Sequence, residues 1–148
     1  MGLHPLSPSA ALLTREKAWQ WDGITVLTAD AALPQLGGDT RRARRFDRYY
    51  ALLADAYFAR CAQKLFPRAA EECRAAMARS GPWRRSSAAL SCRMDAPAGD
   101  TLRFTFEARE NGALLRRWTD VWDSASLLPL TRKEIARLAA AEKKEPPP

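Results

Sequence analysis

The chain has 148 residues, 47% of them hydrophobic and 28% charged, which is ordinary globular usage for one domain and excludes wholesale disorder. No apolar run reaches the roughly 20 residues needed to cross a bilayer. The opening stretch carries Pro5 and Pro8 without a basic start, unlike a secretory leader. A cytoplasmic protein with no membrane insertion is therefore expected. The formal charge of +7 is carried mostly by arginine, with lysine only at Lys17, Lys64, Lys133, Lys143 and Lys144. Arginine binds phosphate bidentately, which leaves nucleic acid and acidic partners open. An alanine- and arginine-rich chain is also what a high-GC coding sequence produces.

The expected organisation is a loose lead-in over 1–12, a single α+β domain over 13–130, a C-terminal helix over 131–144 and a proline tail over 145–148. Leu13, Arg15, Lys17, Trp19 and Trp21 share one parity, and Asp22-Gly23 is a turn signal before Ile24, Val26 and Leu27. This pattern predicts a hairpin over 13–29. Leu33-Pro34-Gln35-Leu36-Gly37-Gly38 is read as a break leading into a helix.

Asp39 or Thr40 can accept the free amides at the helix start. Phe46, Tyr50, Leu53, Tyr57 and Cys61 recur at steps of three and four, one apolar stripe on a helix over 39–79. Pro67 lacks an amide hydrogen and is expected to break that helix, opening a second segment in its own first turn. Ser80-Gly81-Pro82 ends it.

A three-strand meander follows. Ala88, Leu90, Cys92 and Met94 share a face, as do Leu102, Phe104, Phe106 and Ala108, and Pro97 to Asp100 form a turn. Asn111-Gly112 is the strongest hairpin signal. A two-residue turn there sets Glu107 against Arg116, Thr105 against Trp118 and Arg103 against Asp120, with Ala108 beside Leu115 and Leu102 beside Val121. In that register Trp118 and Trp122 lie opposite Phe104 and Phe106, while Arg117 and Thr119 fall on the apolar face. A bulge near Trp118 would relieve the mismatch. Thr131 to Glu134 is a capping box for the terminal helix, with Ile135 and Leu138 inward.

The chemical inventory is thin. The sole histidine, His4, sits in the lead-in, and no serine lies in a nucleophile elbow. Glu71 and Glu72 are helix neighbours that diverge, and Asp120 and Asp123 have opposite strand parities, so neither pair converges on a cleft. Cys61, Cys73 and Cys92 fall on inward positions without metal-ligand spacing. No cofactor, metal or catalytic group is expected.

Two constellations remain. Arg41, Arg45 and Arg48 share one helix face at 100° per residue, and positive charge at a helix start opposes the macrodipole. They form either a phosphate- or carboxylate-binding cluster or a solvated basic face. Trp118 and Trp122 form either a recognition surface or a patch covered by the terminal helix or first hairpin.

The order of these features resembles a known family. Leu33-Pro34-Gln35-Leu36 and a Gly-Gly break precede a helix carrying Arg45-Phe46-Asp47-Arg48-Tyr49-Tyr50, and the meander closes on Asp120-Val121-Trp122-Asp123 and Leu128-Pro129-Leu130. Over roughly residues 18 to 130 this is similar to the C-terminal domain of RsiV-type anti-sigma factors and some cell-wall deacetylases, a domain of unknown function (DUF3298-like). The resemblance implies a ligand-sensing module, which in the RsiV type binds lysozyme, and it carries over no active site. The chain departs from the family in having Arg45 or its neighbours where the helix usually begins with asparagine. The expectation is a non-enzymatic binding or regulatory module for an unknown protein ligand. The alternative is nucleic-acid or anion binding through Arg41, Arg45 and Arg48.

Overall fold

A computed structural model describes residues 10–96 and 99–131. The expected lead-in before Ala10, His4, part of the turn at 97–98, the C-terminal helix beyond Thr131 and the proline tail lie outside the described residues.

Strand β1 (Ala11–Trp21) begins two residues before the expected hairpin, and β2 (Ile24–Gln35) runs six residues beyond it. Asp22 and Gly23 both have positive φ, 50° and 75°, the backbone twist that suits a two-residue hairpin turn. A bulge opposite Trp19 and Gln20 lets the consecutive residues Val26 and Leu27 both be fully buried. Pro34 does not stop the strand. It lies beyond the Leu27–Ala31 stretch that pairs with the next strand, so its missing N–H removes no bond from that ladder.

Helix α1 (Arg41–Arg60) starts on Thr40, whose hydroxyl accepts the Ala43 amide at 3.1 Å. Asp47 reaches back to the preceding loop and accepts the Leu36 and Gly37 amides at 2.7 and 3.0 Å. The buried stripe is Ala43, Phe46, Tyr50, Ala54 and Phe58, while Leu53 and Tyr57 are half-buried. Successive steps of four from Phe46 to Phe58 carry the stripe round the helix axis, away from the expected Leu53–Tyr57 edge.

The expected break at Pro67 is absent. The chain stays helical through a π turn at Cys61–Leu65, where the Phe66 amide bonds to the Cys61 carbonyl five residues back, and continues as α2 (Phe66–Ala78). Widening the turn is what lets a proline follow without ending the helix. The helix closes with Gly81 N–H to Ala76 O at 2.9 Å and Ser80 at φ 52°, a Schellman cap with serine in the left-handed position.

Strands β3 (Ser86–Met94), β4 (Thr101–Glu110) and β5 (Ala113–Asp123) complete a five-stranded sheet in the order β1-β2-β3-β4-β5. The sheet is mostly antiparallel, but β2 and β3 run parallel, from Leu27 opposite Ser86 to Ala31 opposite Leu90. The helix supplies the crossover that a parallel pair requires. Phe46, Tyr50, Ala54 and Phe58 pack with Ala29, Ala31, Ala88, Leu90, Phe104 and Phe106 in one core. Small side chains on β2 and β3 leave room for the helical rings. The other sheet face carries Thr105, Glu107, Arg117 and Thr119 towards solvent, with Arg117 ion-paired to Glu107.

Asn111-Gly112 forms the expected turn, with φ 50° and 83°, and Asn111 also accepts the Ser87 amide at 2.9 Å through its side chain. The register beyond it differs from the expectation. A bulge between Ala108 and Arg109 sets Ala108 against Arg116, Glu107 against Arg117, Phe106 against Trp118 and Phe104 against Asp120. The bulge sits at Leu115 rather than near Trp118. It moves Arg117 and Thr119 to the solvent face and turns Trp118 and Trp122 onto the helix-facing side with Phe104 and Phe106. Placing them on the opposite face is thereby corrected. Trp122 is 2% exposed, and Trp118 is half-buried, stacked on Phe106 at 5.0 Å.

Candidate functional site

Bringing Asp120 and Trp122 under α1 creates a buried polar relay. The Tyr50 hydroxyl donates to Asp120 Oδ2 and accepts from Trp122 Nε1, both at 2.8 Å. Burial raises the Asp120 carboxyl above its ordinary range, while hydrogen bonds from Tyr50 and Trp118 and the Arg116 charge pull it back. Burial, with Asp120 and Asp95 nearby, pushes the Cys92 thiol up to about 12. That protonated, inward thiol is a packing group rather than a nucleophile.

The raised Asp120 pKa means that the folded chain holds this proton more tightly than the unfolded chain does. The contribution is fully present below the unfolded-state pKa and is lost as pH rises through the folded value. Asp120→Asn cannot titrate. The stability of the wild type relative to this variant should therefore increase as pH falls from about 6 to about 3. Urea denaturation across that range checks it, and a flat difference or the opposite slope would refute it.

A groove of about 620 Å³ lies between α1 with its π turn and the sheet. Leu53, Tyr57 and Cys61 form one wall, and Leu90, Leu115 and Trp118 line the facing strands. Its origin is geometric. The helix lies over β2, so the helix-facing side of β5 is only partly covered, and Leu115 remains 53% exposed. The Tyr57 hydroxyl is buried in this wall without a hydrogen-bond partner among the described residues. Burial comes first among the causes that hold its pKa high, followed by the neighbouring Cys61 thiol. Since the Cys61 sulfur is only a weak acceptor for this hydroxyl, Tyr57→Phe should leave stability unchanged within about 0.5 kcal/mol or raise it slightly in denaturant titration.

Three cations border the groove. Arg60 approaches Glu110 at 3.9 Å and Arg109 approaches Glu107 at 3.5 Å. The Arg116 guanidinium lies 4.8 Å above the Trp118 ring, with no ion pair among the described residues. No three His, Cys, Asp or Glu side chains among the described residues gather as a metal site.

The arginines read from the sequence are divided by the fold. Arg45 donates to the Ser126 and Leu127 carbonyls at 2.8 and 3.3 Å, and neighbouring Arg42 donates to Ala125 at 3.0 Å. Both tie the segment after β5 to the helix start, where Asp123 also accepts the Ser126 amide at 2.7 Å. Arg41 and Arg48 are exposed and make no ion pair among the described residues. Of the two sequence-read tryptophans, Trp118 lines the groove and Trp122 belongs to the buried relay. The sequence reads Tyr57 as part of the helix stripe, Leu115 as the neighbour of Ala108 and Arg116 as the partner of Glu107, and none of them as a site residue. The misplaced Arg117 and Thr119 were the one signal that could have found them.

A solved structure of a DUF3298 family member from Bacteroides fragilis is similar over 94% of this chain and 70% of its own length, with a TM-score of 0.56 at 12% sequence identity. The chain has a DUF3298-like fold. No family model and no curated protein matches it in sequence. No helix among the described residues is long and apolar enough to cross a membrane.

Proposed function

We propose that the chain is a non-enzymatic binding or regulatory module that takes its ligand in the groove between α1 and the β4–β5 face. The observation that carries this reading is an open apolar groove of about 620 Å³, within the usual range for ligand pockets, with a buried hydroxyl in its wall whose polar neighbour among the described residues is the weakly accepting Cys61 sulfur. The motif resemblance to RsiV-type sensing domains supports the same role. The neutral apolar dye N-phenyl-1-naphthylamine tests it. The dye should bind with saturable 1:1 fluorescence enhancement. Ala56 is exposed on the groove-facing helix rim, and Ala56→Trp should weaken binding by about tenfold or more by filling the groove. Equal affinity in the variant and the parent would place the dye elsewhere and remove the reading.

A second reading, nucleic-acid or anion binding, is favoured by exposed Arg41 and Arg48, which make no ion pair among the described residues, and no longer by Arg45, whose side chain donates to the Ser126 and Leu127 carbonyls. Replacing Arg41 and Arg48 with Gln should lower the salt slope of polynucleotide binding by about one per lost phosphate contact. Undetectable polynucleotide binding in moderate salt removes this reading.

A further inference from the structure

We infer that the groove selects an amphipathic monocarboxylate, an apolar acyl or aryl body with one carboxylate, whose charged end meets Arg116. The inference rests on the groove reading and adds the chemistry of the occupant. Leu53, Leu90 and Leu115 give the body an apolar bed. The two ends of the groove differ in charge. At the Tyr57 end Glu110 lines the wall and the hydroxyl is desolvated, so an anion placed there would meet a like charge and lose its water. At the Trp118 end the Arg116 guanidinium lies over the indole ring. A guanidinium held by its face keeps its in-plane N–H donors free, and these fit the two oxygens of a carboxylate. The other two cations on the border approach Glu110 and Glu107 within 4 Å, whereas the Arg116 charge acts on Asp120 only from beyond ion-pair distance. The ligand would therefore enter apolar end first and stop with its charge beside β5.

Displacement of N-phenyl-1-naphthylamine by dodecanoate and by dodecan-1-ol, each below its aggregation concentration, tests this. The two share a chain length and differ in the charge of the head. Dodecanoate should displace the dye at about tenfold lower concentration than the alcohol. Arg116→Gln should bring the ratio close to one. Arg84→Gln, an equal charge change at an exposed residue outside the groove, should leave it unaltered. Equal displacement by acid and alcohol in the parent overturns the inference, as does a preference that survives Arg116→Gln or falls equally in Arg84→Gln. Failure of both compounds to displace a dye that Ala56→Trp still excludes overturns the inference and leaves the groove reading standing. Indifference of the dye itself to Ala56→Trp removes the groove reading instead.

Discussion

Phe104→Ala should lower the unfolding free energy by about 3–5 kcal/mol, the usual loss for truncating a fully packed ring. Phe104 is 2% exposed and faces α1, with the Phe46 and Tyr50 rings 5.8 and 6.1 Å away. Phe46 in turn packs edge-on to Trp122 at 4.7 Å. Truncation therefore opens a void where helix, β4 and β5 meet, and rings held on three elements cannot collapse into it cheaply. Chemical denaturation measures the loss. A value under about 1 kcal/mol would show that this sheet face is not the core face.

Tyr50→Phe should destabilise the fold through chemistry rather than volume, since the ring stays and only the hydroxyl leaves. Trp122 Nε1 loses its acceptor in a site that is 2% exposed, and Asp120 loses a donor. Each orphaned group costs about 1–3 kcal/mol, more for the carboxylate if it remains charged. Because the Tyr50 hydrogen bond lowers the Asp120 pKa, its removal should also strengthen the gain of stability in acid. Set beside Tyr57→Phe, the same deletion at a buried hydroxyl whose neighbour is only the weakly accepting Cys61 sulfur, the pair separates burial of the group from satisfaction of its hydrogen bonds. Equal effects of the two substitutions in parallel denaturation experiments would refute the relay.

Much of the frame was legible because its signals are local. Asp22-Gly23 and Asn111-Gly112 supply adjacent residues that tolerate positive φ, and Thr40 supplies the cap that starts the helix. The alternation Leu102, Phe104, Phe106, Ala108 marks the core face of β4, and the sheet holds it there. Other features resisted for physical reasons. A proline at position 67 reads as a helix breaker, yet one widened turn at Cys61–Leu65 absorbs it. The parallel β2–β3 pair depends on how the helix returns to the sheet, which no short window of sequence contains.

The candidate site was less legible than the frame. One extra residue at Leu115 reverses the facing of every later side chain on β5, carrying Arg116 and Trp118 to the groove and Asp120 and Trp122 to the relay. The opposite-sign pair expected between Glu107 and Arg116 exists instead between Glu107 and Arg117. Charge complementarity alone could not choose between adjacent arginines.

The amino-acid order by itself determined the turns, the helix start and the α+β class, because each rests on the conformational preference of a few neighbouring residues. Tertiary structure decided the register of β5, the parallel central pair, the employment of Arg45 on the Ser126 and Leu127 carbonyls and the opening beside Tyr57. The relay and the Arg45 contacts join residues 70 and 81 positions apart, and within the β4–β5 hairpin a single inserted residue outweighs local preference.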